Sequence, residues 1–69
     1  MYVWQVYENA EWNILGAELG DLGHVPLVTT RHSSYELMRP LAVMHTERTG
    51  LPTRGVQYLD PIVMEAIEP

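Results

Sequence analysis

Hydrophobic positions fall into six stretches whose spacing changes along the chain. Residues 2 to 7 (Tyr2, Val3, Trp4, Gln5, Val6, Tyr7) are nearly all β-branched or aromatic, the composition that suits a pleated surface, and predict a strand. A polar break at Glu8, Asn9, Ala10 and Glu11 precedes a second such run, Trp12 to Ala17, which predicts the return strand of a hairpin turning at Asn9. Setting Tyr7 opposite Trp12 fixes the register. Val3, Gln5, Tyr7, Trp12 and Ile14 then share one face, and Tyr2, Trp4, Val6, Asn13, Leu15 and Ala17 the other. Both faces are apolar. Gly20 to Pro26 carries loop punctuation, and Leu27 to Thr30 predicts a short third strand.

From Ser33 the period becomes helical. Ser33 with Glu36 forms a capping-box pattern, while Gly50 and Pro52 predict a stop near Thr49. Leu37, Met38, Leu41, Met44 and His45 gather on one stripe, expected to face the sheet, with Glu36, Arg39, Val43 and Glu47 opposite. Pro40 conflicts with an unbroken helix and predicts a kink; the alternative to a start at Ser34 is a helix beginning at Pro40. Residues 54 to 59 alternate as another strand. Asp60 and Pro61 are a helix start, so 62 to 67 should be one or two helical turns. The expected fold is α+β, in the order β-β-β-α-β-α: one domain over 1–69, with a small antiparallel or mixed sheet of three to four strands under one main helix.

Charge refines this picture. The four basic residues are Arg31, Arg39, Arg48 and Arg54, all in the middle of the chain, and the ends are acidic, for a net charge of −5. That balance opposes phosphate backbones and argues against generic nucleic-acid binding. A chain of 69 residues hides only about 60% of its unfolded surface, so small folds of this kind recruit disulfides, a metal or another subunit. With no cysteine, oligomerisation is the expected supplement. No apolar window is long enough to span a bilayer and no secretory signal is evident, so a cytoplasmic protein without membrane contact is expected.

Candidate chemistry is sparse. His24, His32 and His45 match no metal-ligand spacing, and His45 on the apolar stripe is expected to be a neutral core imidazole hydrogen-bonded to the sheet or to Tyr58. His32 beside Ser33 offers two members of a triad, but the cap already accounts for Ser33, and chain neighbours seldom point side chains at each other. Glu8, Glu11 and Glu18 sit on solvated tips, and Arg39 is expected to answer Glu36 within the helix. Gly20 to Gly23 lacks the spacing of a phosphate cradle. No catalytic, cofactor or metal site is expected.

At the level of phrase, Val3 to Tyr7, Trp12 to Ala17, Pro26 to Thr29, Arg39-Pro40-Leu41 and Thr49 to Pro52 resemble small uncharacterised proteins of actinobacteria and their phages. The resemblance implies a source and a role: a phage accessory protein that binds and modulates a host protein in the host cytoplasm. The function expected is therefore a non-enzymatic protein-protein interaction module, self-associating as a homodimer. The alternatives are an acidic nucleic-acid mimic, which ordinarily carries a denser set of carboxylates than nine in 69, and a small enzyme or ligand carrier using His45 and Tyr58. Interface candidates are Tyr2, Trp4, Val6, Trp12 and Leu15, with one tryptophan expected in the core and the other on a free face.

Overall fold

The computed structural model describes residues 1–59 and 62–69. Its first two strands, β1 (Tyr2–Glu8) and β2 (Glu11–Ile14), form the expected hairpin with Tyr7 opposite Trp12. The two linking residues, Asn9 and Ala10, both take positive φ (55° and 64°), which matches the right-handed twist of the flanking strands. Asparagine tolerates that region; alanine does so at a cost.

The return strand is shorter than expected, because Leu15 turns into the core. Its N–H donates to the Trp4 carbonyl (2.9 Å), Leu27 N–H donates to the Leu15 carbonyl (2.8 Å), and Trp4 N–H donates to the Leu27 carbonyl (3.0 Å). Beyond this knot, β3 (Gly16–Glu18) and β4 (His24–Pro26) peel off as a separate two-stranded ribbon, joined by a 3-10 turn at Gly20–Leu22. Residues 24 to 26, expected as loop, are thus paired. The chain rejoins the main sheet as β5 (Val28–Thr29), beside the start of β1.

The helix α1 runs from His32 to Thr49 without interruption through Pro40, so neither proposed start, Ser34 or Pro40, is the observed one. Arg31 occupies the N-cap without a side-chain bond; the Ser33 capping box does not form, since Ser33 lies inside the helix. Its C-terminus behaves as expected, with Gly50 left-handed at φ 73° and its N–H bonded to the Thr46 carbonyl. β6 (Thr53–Gln57) follows, pairing antiparallel with β1. The segment 62 to 67, expected to be helical, is a strand, β7 (Ile62–Ile67), on the outer edge of β6. Its Ile, Val, Ala and Ile residues suit a strand as well as a helix, and five residues of β6, from Thr53 to Gln57, pair antiparallel with it and so favour the ladder. The Asp60-Pro61 helix start falls outside the described residues. The main sheet therefore runs β2-β1-β6-β7, with β5 also on β1.

One face of the sheet packs on α1. Trp4 is fully buried there, its ring stacked on Tyr35 (4.8 Å between centroids, 5° between planes) and its indole N–H donated to the Tyr35 carbonyl at 3.0 Å. This stack sets the helix rotation. Tyr35, Ala42 and Thr46 face the sheet, Met38 and Leu41 pack at the sides, and Leu37 and Met44 of the expected stripe are 79% and 49% exposed. The physical reason is volume: a buried indole and a tyrosine ring fill the layer, so the closest helix position carries the small Ala42, and the sheet position under the Tyr35 ring is Gly55. Thr46 and Thr53, both buried, share a hydroxyl hydrogen bond of 2.9 Å. Arg39 pairs with Glu65 of β7 (2.6 Å), not with Glu36, tying the helix to the edge strand.

Candidate functional site: the open sheet face

The residues alternating with the core set point to the other side of the sheet, where no helix lies. In the registers of β1 with β2 and β6, Gln5 stands beside Arg54 and Ile14, and Val3 beside Val56. Arg54 crosses this face. Its guanidinium carbon sits 4.1 Å from the centre of the Trp12 ring, and its Nε donates to Gln5 Oε1 at 2.8 Å. Gln5 Nε2 in turn donates to the Tyr58 hydroxyl oxygen at 2.7 Å. Tyr7 meets Trp12 edge to face at 5.2 Å. Gln5 is only 6% exposed, held between Arg54 and Tyr58, while Tyr7, Ile14 and Val63 remain 40%, 56% and 48% exposed.

Of the five interface candidates, only Trp12 belongs to this face. Trp4, Val6 and Leu15 are buried in the core under α1, and Tyr2 packs against that core and on His32 and Tyr35. As interface residues these four are corrected: the helix covers their face. Trp4 is thus the core tryptophan and Trp12 the one on the free face. Arg54, Gln5 and Tyr58 were not singled out together by sequence, although their strand parity was available once 54 to 59 was read as a strand.

The titratable groups elsewhere are scattered. His45 makes no bond to Tyr58, whose hydroxyl is engaged by Gln5, and among the described residues its buried Nε2 has no hydrogen-bond partner, contrary to the expectation for that residue. His32 opens the helix; its Nδ1 is 3.3 Å from Glu36, and no hydrogen bond links it to Ser33 among the described residues. His24 lies across Gly16 and pairs with Glu18 at 3.2 Å. Glu8 and Glu11 oppose each other at the hairpin end. A pocket of about 310 Å³ between the ribbon and α1 is bordered by Leu15, Leu27, Leu41 and Arg48, but Glu18 and His24 at its rim are committed to each other. Among the described residues no three His, Asp or Glu side chains come together as metal ligands, and no helix is long and apolar enough to cross a membrane. Burial, and secondarily the Glu65 carboxylate, push the Tyr35 phenol above its ordinary pKa, with Arg39 opposing.

Comparison with protein-family models, with characterised proteins and with solved structures returns no match for this chain.

Proposed function

We propose that this chain is a non-catalytic protein-interaction module whose working surface is the sheet face that α1 leaves uncovered. One observation carries the reading: Trp12, Tyr7, Tyr58 and Arg54 cluster there, half-buried or exposed, with Tyr7, Trp12 and Arg54 in successive contact and Tyr58 joined to Arg54 through Gln5. Tryptophan, tyrosine and arginine dominate the energetics of protein interfaces, because each offers a large contact area with a polar handle and loses little entropy when already held. An aromatic and aliphatic patch on so small a protein fits a surface meant to be covered. A phage accessory role, modulating a host protein, is the setting the phrase-level resemblance suggests.

The test is a photo-crosslinker placed at Tyr7 or Ile14 on this face and, as control, at Leu37 on the outer side of α1, with the mass of the protein in solution measured alongside. Discrete adducts from the sheet positions alone support the reading, and the mass shows whether the partner is a second copy. Equal adducts from Leu37, or none from the sheet positions in a monomeric protein, refute it.

A further inference from the structure

The hydrogen-bond directions on the open face are fixed by chemistry. Arg54 Nε can only donate, so the Gln5 amide must present its oxygen to Arg54 and its NH₂ to Tyr58. The Tyr58 oxygen therefore accepts, and its own O–H remains to donate elsewhere. The terminal nitrogens of Arg54 meet no carboxylate or carbonyl among the described residues. Gln5, buried at 6% exposure, is thus a strut that sets two donors on either side of itself, and the Trp12 ring fixes the plane of the guanidinium. Among the described residues neither donor meets an acceptor.

We infer that Arg54 and Tyr58 form a carboxylate-recognition site that takes an acidic side chain of a partner polypeptide. This rests on reading the face as an interaction surface and names the chemistry it meets. A planar guanidinium fork matches a planar carboxylate in two parallel bonds, and such charge-assisted bonds are stronger than neutral ones. Arg54 is the single cation among the residues that the strand registers place on this face, within a protein of net charge −5. A polyanion would meet long-range repulsion from the whole molecule, whereas one carboxylate among apolar neighbours is matched by one arginine. Tyr7 and Ile14, exposed beside the site, extend the contact past a single functional group and so favour a polypeptide over a free small acid.

The experiment follows the Trp12 indole and Arg54 Nε–H signals by nitrogen-proton NMR. The probes are a short peptide of alternating valine and glutamate, its glutamine counterpart, sodium acetate and oligothymidylate. The glutamate peptide should shift both signals saturably and bind about tenfold or more tightly than the glutamine peptide, the effect expected for a hydrogen bond to a charged group. Arg54→Met should abolish that preference, Arg54→Lys should lose most of it, and Tyr58→Phe, which keeps the ring, should reduce it. Equal binding of the two peptides by the wild type would overturn the carboxylate site while leaving the interaction face standing. Saturation by acetate at the peptide's concentration would overturn the polypeptide occupant, tighter binding of oligothymidylate would assign the face to nucleic acid, and no shift with any probe would overturn the site.

Discussion

Replacing Gly55 with alanine probes the contact that positions α1 on the sheet. A Cβ built on Gly55 would lie 2.7 Å from two ring carbons of Tyr35 and closer still to its hydroxyl, well inside van der Waals contact. Tyr35 cannot swing aside freely, because its ring is stacked on the fully buried Trp4 at 4.8 Å. The strain must move the helix or both rings. Overpacking of this kind costs about 1–3 kcal/mol, against which alanine's advantage over glycine in a strand returns roughly 0.5–1 kcal/mol. A net loss of about 1–2 kcal/mol is expected. Urea denaturation measures it, as a lower midpoint with an unchanged slope. The sharper test is the same substitution in a Tyr35→Phe background, which removes the closest atom; the two changes should couple by about 1 kcal/mol in the favourable direction. If Gly55→Ala costs the same with and without the hydroxyl, the Tyr35 hydroxyl is not what excludes a side chain at Gly55.

Other substitutions test separate features. Ala10→Gly should stabilise the hairpin by about 0.5–1 kcal/mol by relieving its positive φ, measured by thermal melting, and a destabilised variant would contradict the turn. Thr53→Val should cost about 1–2 kcal/mol in chemical denaturation by stranding the Thr46 hydroxyl, and adding Thr46→Val should recover part of the loss; a double variant worse than the sum would contradict the shared bond. Ser33→Ala should change stability by no more than a few tenths of a kcal/mol, because no cap is lost, while Pro40→Ala should raise the melting temperature by restoring a helical N–H. With a folded-state pKa above the ordinary tyrosine value of 10.0, the neutral Tyr35 phenol contributes stability that is fully present below that pH and lost as pH rises through the folded value. Tyr35→Phe should therefore lose less stability than the wild type across that alkaline range, and identical alkaline profiles would remove Tyr35 as a contributor.

Much of the local structure was determined by sequence alone. The β-branched and aromatic run of β1, the polar break after it and the pairing of Tyr7 with Trp12 follow from composition and turn chemistry, and Gly50 ends α1 for a reason local to its backbone. The two-faced character of the hairpin was legible too, and with it the separation of Trp4 from Trp12. Tertiary structure decided the rest. Ile62–Ile67 is an apolar run that fits either element, and the free edge of β6 made it a strand. The helix turned away from its apparent apolar stripe because the Trp4–Tyr35 stack demanded Ala42 and Gly55 at the closest approaches, leaving Leu37 outside. Arg39 exchanged a neighbour one turn away for Glu65 on a strand that sequence had not placed within reach. The Gln5, Arg54 and Tyr58 network, 49 and 53 residues apart in sequence from Gln5, exists only because β1 and β6 are paired in one register, and no local pattern carries that information.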